Sequence, residues 1–331
     1  MAVSDLILIS VGNSRSRIAH ARLTGTTTAG DLQPATVFGS GDTQAMVDHI
    51  VKLADALDVE LSRVVVATVN EAASKALLEK LAKLPGLPSA VKLTFTGAGD
   101  ELATGLKIPL AVDLDAAATP GADRLLCALA AHDRSRSACV VIDVGTAVTV
   151  DLVGRFGTFA GGVIAPGLGA MLGALHSTAS ALPKIESPKS AQEDAPAAAL
   201  GKNTRDAMLI GCIEAIRGLC YRMIDRYAEI EGSYPRIIAT GGDAGLLFRE
   251  DELIEHIVPD LVLIGMQTAW IRSEFPGSFE QQQIAADEEA EVPEGEENEL
   301  DFGDESSNDE DAGDDGDKDT EKDKGEADAR P

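Results

Sequence analysis

The stretch CVVIDVGTA (139–147) has the form of a buried strand that ends in a tight turn of small residues. A second stretch, LILISVGNS (6–14), repeats this form near the start of the chain. When the two are aligned on their Val-Gly pairs, Asp143 corresponds to Ser10, so that one copy lacks its carboxylate. Because another apolar run follows each stretch, the sequence predicts two β-hairpins with glycine in their turns.

The segments after the two hairpins also correspond. RVVVATVN (63–70) and RIIATGGDAG (236–245) are rich in β-branched residues, which is typical of buried strands. Helical spacing of apolar residues predicts three helices, 43–57, 71–84 and 203–232. The longest has Asn203 as its cap, and its predicted apolar face consists of Met208, Cys212, Ile216, Leu219 and Met223. Strands that alternate with helices favour an α/β fold, and the repeated order indicates an internal duplication.

Composition separates the end of the chain from the rest. The protein has 331 residues and a formal net charge of −27, and residues 281–331 alone carry 22 acidic against 4 basic residues. This segment has few large apolar side chains, which predicts a disordered acidic C-terminal tail that either only solubilises the protein or binds a basic partner. We divide the remainder into an N-terminal half (1–120) and a C-terminal half (121–275).

The overall composition narrows the classes of partner. An acidic chain repels phosphate backbones and shows no basic stripe, so we expect no binding to nucleic acid. The apolar run near the start is too short for a signal peptide or a membrane span, and we expect a cytoplasmic protein with no membrane association. The four cysteines show no CxxC spacing and the five histidines are scattered, which argues for buried free thiols and against zinc.

The glycine turns indicate phosphate chemistry. Small residues let the backbone approach a ligand closely, and backbone N–H groups in such a turn can cradle a phosphate. A carboxylate such as Asp143 can hold a cation beside the phosphate oxygens, although Asp and Thr are also common turn formers. Two such hairpins facing each other across a cleft would make a phosphoryl-transfer site, with Gly241 and Gly242 against the nucleotide.

Eight segments between about residues 5 and 273 resemble, in order, those of the type III pantothenate kinases, a family of the actin/Hsp70/sugar-kinase superfamily. They are VGNS (11–14), GADR (121–124), DVGTAVTVD (143–151), GGVIAPG (161–167), LHSTASALP (175–183), GKNT (201–204), ATGGDA (239–244) and PDLVLIGM (259–266). The resemblance implies duplicated ribonuclease-H-like halves, a homodimer, and ATP-dependent phosphorylation of pantothenate to 4′-phosphopantothenate, the first step of coenzyme A biosynthesis. It also implies Mg²⁺ with the ATP and a monovalent cation, K⁺ or NH₄⁺.

The resemblance also assigns roles to individual residues. Asp123 matches the catalytic proton acceptor, and Asp143 matches the ligand of the monovalent cation. The matched substrate-binding positions are Gly121, Ala122, Asp123, Arg124 and Thr204. The matched ATP-binding positions are Ser10, Val11, Gly12, Asn13, Ser14, Arg15, Ser16, Arg17 and Thr146. Arg17 stands where the family usually has lysine.

Three of these residues also have an ordinary structural interpretation. Asp123 can instead cap the helix that begins with RLLCALAAH, and Arg124 can be a surface arginine. Thr204 can supply a hydroxyl at the start of a helix, a role that does not exclude substrate binding.

The chain departs from the family pattern at two places. Ser10 stands where the family's first motif has an acidic residue, and Leu114 stands near the position of a tyrosine. Asp5 cannot replace the lost carboxylate, because it lies five residues upstream, roughly 16 Å along an extended strand. Three hypotheses therefore stand: a working pantothenate kinase, a catalytically weakened or inactive relative that binds ligands or regulates, and a kinase for another small hydroxylated acid.

Overall fold

The computed structural model describes residues 3–24, 31–57, 61–188 and 199–275, and the predicted acidic tail lies outside these ranges. The first elements are β1 (Val3–Val11), β2 (Arg15–Thr24), β3 (Asp31–Leu32), β4 (Thr36–Gly39), α1 (Thr43–Asp55), β5 (Leu61–Thr68), α2 (Glu71–Leu81), β6 (Ala90–Thr94) and β7 (Ala103–Lys107). They are followed by β8 (Ala111–Val112), α3 (Ala122–Ser135), β9 (Cys139–Val144), β10 (Ala147–Val153), β11 (Thr158–Pro166), α4 (Leu168–Thr178), α5 (Thr204–Glu231), β12 (Arg236–Thr240), α6 (Ala244–Phe248), β13 (His256–Ile257) and α7 (Leu261–Glu274).

Two sheets are built on the same plan. The first has the strand order β3-β2-β1-β5-β6-β7, with β4 also paired to β2, and the second has the order β13-β12-β9-β10-β11-β8. In each sheet an antiparallel hairpin is extended on its other side by a parallel strand, β5 beside β1 and β12 beside β9. Each half therefore has ribonuclease-H-like topology, and the duplicated α/β fold is confirmed. β8 lies before residue 121 in the chain, but it pairs with β11 and so belongs to the second sheet. The division of the chain between residues 120 and 121 stays a prediction.

The strand register places Ser10 and Asp143 at equivalent positions. Ser10 lies on the central strand β1, between Arg17 on β2 and a residue of β5. Asp143 lies on the central strand β9, between Thr149 on β10 and a residue of β12. Each stands two residues before the glycine of its hairpin turn. The alignment of the two stretches made from the sequence is therefore confirmed.

Alternate residues of the central strands pack into different layers. Ile7 of β1 faces the outer helices α1 and α2, whereas Leu6 faces α3 and α7, which also contact the second sheet. The opposite face of the second sheet is covered by α4, α5 and α6. Because side chains alternate along a strand, Ser10 and Asp143 both lie on the faces turned toward α3 and α7.

The three predicted helices are confirmed as α1, α2 and α5, with somewhat shorter ends. The cap of α5 is confirmed as well, because the Asn203 side chain accepts a hydrogen bond from the Asp206 N–H at 2.9 Å. The predicted apolar face is confirmed at Met208, Cys212 and Ile216, and half-buried Met223 packs against the same core, whereas the prediction is wrong at Leu219, which is half-buried outside it. The buried row continues instead through Cys220, Ile224 and Tyr227. This row keeps a spacing close to four residues, which suits a helix that lies across β9 and β10.

All four cysteines are buried and unpaired, as predicted. Cys127 and Cys139 lie in the layer of α3 and α7, and Cys212 and Cys220 lie in the layer of α5. Burial raises the pKa of Cys139 and of Cys220 to about 12, so these thiols are unreactive at neutral pH. No helix in the described ranges is both long and apolar enough to cross a membrane.

The helices α3 and α7 approach closely at Gly265, where a Cβ atom would overlap the backbone carbonyl of Leu126. We expect Gly265→Ala to push the helices apart and to lower the free energy of unfolding by about 1–3 kcal/mol, the usual cost of overpacking. Gly211→Ala is the control, because Gly211 is exposed on α5 with open space around it. That change should raise stability by about 0.5–1 kcal/mol. Urea unfolding measures both, and equal effects would contradict the close approach at Gly265.

Candidate active site

The two hairpin turns meet. The hydroxyl oxygens of Ser14 and Thr146 lie 2.8 Å apart and hydrogen-bond to each other. The turns differ in length, because the Gly12 N–H donates to a carbonyl three residues later at 3.1 Å, whereas the Gly145 N–H donates to a carbonyl two residues later at 2.9 Å. The first turn is therefore one residue longer and contains one more backbone N–H group.

A cleft of about 500 Å³ opens between the hairpin turns, the ATGGDA segment and the start of α4. The predicted site residues in its lining are Ser10, Val11, Gly12, Asn13, Ser14, Arg15, Arg17, Asp123, Asp143 and Thr146. Among the described residues, those predicted for the site that do not line it are Gly121, Ala122, Arg124, Thr204 and Ser16. The fold thus brings the predicted phosphate-loop, cation and proton-acceptor positions to one cleft.

Two of the predicted positions point elsewhere for identifiable reasons. Ser16 is fully buried on the other face of β2, where its Oγ donates to Ser40 Oγ at 3.3 Å. Thr204 is exposed at the first turn of α5. The interpretation of Thr204 as a helix-start residue is correct in position, but the capping hydrogen bond comes from Asn203.

Asp143 faces the cleft from the end of β9. Burial raises the pKa of its carboxyl group to about 6, the charge of Asp123 adds to that rise, and Arg17 opposes it. Two carboxylates that share a desolvated cleft favour the binding of a cation, because a cation relieves both the burial and the mutual repulsion.

Asp123 faces the same cleft from the first turn of α3. The capping position of this helix is Gly121, so the interpretation of Asp123 as the helix cap is wrong. The carboxylate of Asp123 accepts a hydrogen bond from the Arg124 N–H at 2.8 Å. Burial raises its pKa, while that hydrogen bond and the charge of Arg124 act in the opposite direction. A partly desolvated carboxylate at a helix start is well suited to accept a proton.

The first hairpin contributes no carboxylate to the cleft. Asp5 lies on the opposite face of β1, fully buried, where its Oδ1 is 2.5 Å from His20 Nε2 and accepts from Arg22 Nε at 3.0 Å. The prediction that Asp5 cannot stand in for the missing acid is therefore confirmed. Arg17, one of the two arginines of this hairpin that line the cleft, has its own partner, with its Nε 3.5 Å from Asp260 at the start of α7.

Arg124 is not a surface arginine. Its Nε donates to both carboxylate oxygens of Asp151 at 3.1 Å, and its side chain is only 15% exposed. This partner was not predicted from the sequence, although Asp151 ends the DVGTAVTVD segment. The signal was available in β10, where a charged residue stands between the apolar Val150 and Leu152.

The ATGGDA segment closes the cleft opposite the first hairpin. Gly241 has φ +95°, a conformation that favours glycine. A Cβ atom at Gly242 would lie 2.7 Å from Arg15 Nη1, so the guanidinium of Arg15 reaches across to this turn. Burial raises the pKa of Asp243, and Arg15 opposes the rise. The predictions from sequence gave no role to Asp243, which also lines the cleft.

The carboxylates in the described ranges do not form a complete metal cage, since no group of three or more His, Cys, Asp or Glu side chains comes together there. Mg²⁺ in kinases is commonly held by one or two carboxylates and by the substrate phosphates. A cleft with Asp143, Asp123 and two hydroxyl-bearing turns fits that kind of site, in which the nucleotide supplies the remaining oxygens.

Comparison with known proteins identifies the family. Residues 6–226 match the sequence model of the type III pantothenate kinases. The chain belongs to the type III pantothenate kinase family. It is 42% identical over 149 residues to a type III pantothenate kinase of Akkermansia muciniphila (45% of this chain, 59% of the relative) and 40% identical over 166 residues to one of Acidiphilium cryptum (50% and 60%). A Geotalea uraniireducens member is 34% identical over 197 residues (56% and 75%). The chain thus matches less than two thirds of the length of the first two.

In this family member, stability should depend on the charge of Asp143. Folding raises the pKa of its carboxyl group from 3.8 to about 6. Ionisation of Asp143 therefore lowers the free energy of unfolding progressively as the pH rises from about 4 through 6. Asparagine cannot ionise, so we expect Asp143→Asn to raise the free energy of unfolding by about 1–2 kcal/mol at pH 8, a figure that allows for solvent screening. At pH 4 the variant and the wild type should be equally stable.

Urea unfolding in tetramethylammonium buffer, without nucleotide or divalent ions, measures this difference. Asp48→Asn on the exposed surface of α1 is the control and should show no such trend. A gain for Asp143→Asn that is the same at pH 4 and pH 8 would refute the electrostatic explanation.

Proposed function

We propose that the protein transfers a phosphoryl group from ATP to pantothenate and produces 4′-phosphopantothenate, the first step of coenzyme A biosynthesis. The observation that carries the proposal is a single cleft where two phosphate-type hairpin turns meet beside Asp123 and Asp143, in a chain of the type III pantothenate kinase family. Phosphoryl transfer requires backbone donors for the phosphates and a group that takes the proton of the attacking hydroxyl. The cleft offers both.

In the proposed mechanism Asp123 accepts the proton of the substrate hydroxyl as that oxygen attacks the γ-phosphoryl group. Its partial burial supports this role, because a raised pKa makes a carboxylate a better base. We assign to ATP the residues of the two turns that line the cleft, namely 10–15, Arg17 and Thr146. We assign Gly121, Ala122 and Thr204 to pantothenate, and we leave out Arg124 because its guanidinium is bound to Asp151.

We also propose that Asp143 holds a monovalent cation, K⁺ or NH₄⁺, and that Mg²⁺ enters with ATP. When bound, such cations neutralise charge on the phosphate oxygens. The desolvated carboxylate of Asp143, beside that of Asp123, supports this assignment.

We further propose that the protein works as a homodimer in the cytoplasm. Large apolar side chains are exposed in or next to two of the family segments, Ile164 in GGVIAPG at 64% and Leu200 before GKNT at 65%. A second copy would remove such surface from water. Size-exclusion chromatography with light scattering tests the dimer, and a mass near 34.5 kDa would contradict it.

The activity itself is tested with purified protein, ATP, Mg²⁺ and pantothenate, by mass-spectrometric detection of 4′-phosphopantothenate. Parallel reactions contain K⁺, NH₄⁺ or Na⁺ as the only monovalent cation. We expect product, and more of it with K⁺ or NH₄⁺ than with Na⁺. Absence of product from folded protein at high ATP with every cation would overturn the proposal.

A non-catalytic, ligand-binding role is the second candidate, and one observation favours it. Ser10 leaves the first hairpin without a carboxylate, and Asp5 is committed to His20 and Arg22. Titration calorimetry with ATP and pantothenate separates this candidate from the first: binding of both without product supports it.

A kinase for another small acid is the third outcome, which assays with other hydroxylated acids would reveal.

A further inference from the structure

A buried carboxylate lies in the second sheet behind the cleft. Asp151 is in β10, paired with Val141 on β9 and Gly162 on β11. Its neighbours Val150 and Leu152 pack in the layer of α5, which leaves Asp151 on the face toward α3. Only 1% of the residue is exposed. A charge in such a place is costly unless it is paired and hydrogen-bonded.

The partner of Asp151 is Arg124, the third residue of α3. Arg124 Nε donates to both carboxylate oxygens at 3.1 Å, and Nη2 donates to Oδ1. The guanidinium carbon lies 5.5 Å from the ring centroid of Phe159, which is fully buried. A guanidinium held by three hydrogen bonds and an aromatic ring has one orientation.

The neighbouring strand makes room for this pair. A Cβ atom at Gly162 on β11 would overlap the carboxylate of Asp151 and the backbone of β10. Gly162 belongs to the GGVIAPG segment, so this glycine has a packing reason that needs no ligand. The pair and its surroundings therefore form a built feature of the fold.

Apart from the packing of Leu125 and Ala122 against the core, the first turn of α3 has few polar attachments among the described residues. Its cap, Gly121, offers no side-chain hydrogen bond, and the bond from the Leu125 N–H to the Gly121 carbonyl is long at 3.4 Å. Asp123 extends from this turn into the cleft, and Arg124, the next residue, extends to β10. The ion pair between Arg124 and Asp151 thus attaches the turn that carries Asp123 to the second sheet.

We propose that Asp151 is a positioning residue, which acts by holding Arg124 and thereby fixing the first turn of α3 so that Asp123 meets the reacting hydroxyl. The inference rests on the proposed kinase function of the cleft. A displacement of about 1 Å of a catalytic group can cost roughly 100-fold in rate. Because the turn keeps its other backbone bonds when the pair is lost, a smaller loss is expected.

Asp151→Asn keeps the shape of the side chain and removes its charge. We expect kcat for pantothenate phosphorylation to fall roughly ten-fold, with KM for ATP changed by less than about two-fold. The matched control is Asp133→Asn, at the other end of α3, where Asp133 accepts a hydrogen bond from Arg272 at 2.7 Å. This variant should keep the wild-type kcat. A kcat for Asp151→Asn no lower than that of Asp133→Asn would overturn the proposal.

Hydrogen exchange of the ligand-free protein provides a readout that does not depend on activity. Peptides that cover residues 121–128 should exchange about ten-fold faster in Asp151→Asn than in the wild type and at the wild-type rate in Asp133→Asn. If the wild type makes no product, the proposed function fails, and the exchange rates still decide whether Asp151 anchors the turn. Equal exchange in Asp151→Asn and the wild type would overturn the anchor.

Arg124→Lys covers the case in which Asp151→Asn does not fold. Lysine keeps the charge but cannot hold both oxygens of Asp151 in a fixed orientation. We expect a similar loss of kcat and faster exchange over residues 121–128. Wild-type values for both would overturn the proposal.

Discussion

Asp123→Asn is expected to lower kcat for pantothenate phosphorylation by about 10²–10⁴, the range that positioned general bases contribute. The amide has the size of the carboxylate and keeps the contact with the Arg124 N–H through its oxygen, but it cannot take the proton of the attacking hydroxyl. Because the proposed mechanism places Asp123 beside the substrate hydroxyl and not beside the nucleotide, we expect KM for ATP to change little. Steady-state kinetics with mass-spectrometric detection of the product measures both constants.

Asp243→Asn provides the comparison within the same cleft. Asp243 is also a carboxylate whose pKa burial raises, but it lies on the ATGGDA turn beside Arg15. We expect this change to raise KM for ATP more than it lowers kcat. If Asp123→Asn retains near wild-type kcat while its thermal unfolding is unchanged, Asp123 is not the proton acceptor. If both variants lose kcat equally, the effect belongs to the charge of the cleft as a whole.

The long strands and helices were predictable because their signals are local. The runs that became β1, β5, β9 and β12 are β-branched, and α5 has helical spacing with a capping Asn203. The two-residue strands β3, β8 and β13 have no such signal. They form because a longer neighbouring strand offers unpaired backbone groups, which is a tertiary effect. The shift of the buried face of α5 to Cys220 and Ile224 has the same origin, since packing selects among equivalent apolar residues.

Parts of the candidate site were predictable from single residues whose side chains have a distinctive chemistry, such as a carboxylate before a glycine turn. The equivalence of Ser10 and Asp143 followed from two aligned glycines, and the register confirms it. The ion pairs that support the cleft were not predictable, because their partners are distant in sequence: Arg124 and Asp151 are 27 residues apart. A sequence pattern can mark a charged residue inside an apolar strand, but only the fold shows which charge compensates it.

Ser10→Asp is expected to raise kcat at least about ten-fold. Ser10 occupies the position on β1 that Asp143 occupies on β9, and both line the cleft. Deleting a preorganised electrostatic group commonly costs about 10²–10³ in rate, which sets the upper limit of the gain. Two carboxylates repel each other across a cleft without a cation, so the gain should increase with Mg²⁺ concentration. Kinetics at several Mg²⁺ concentrations tests this dependence.

The control for Ser10 is Ser10→Asn, which adds nearly the same volume without a charge. If both variants raise kcat equally, the cause is shape; if neither does and both still bind ATP, the missing carboxylate does not limit turnover.

The neighbouring Arg17 adds a constraint, because it lies opposite Ser10 in the register of the hairpin and its Nε is 3.5 Å from Asp260. A carboxylate at position 10 would compete with Asp260 for this guanidinium. Ser10→Asp combined with Arg17→Lys should therefore gain more than Ser10→Asp alone, because lysine does not bind a carboxylate through two parallel hydrogen bonds.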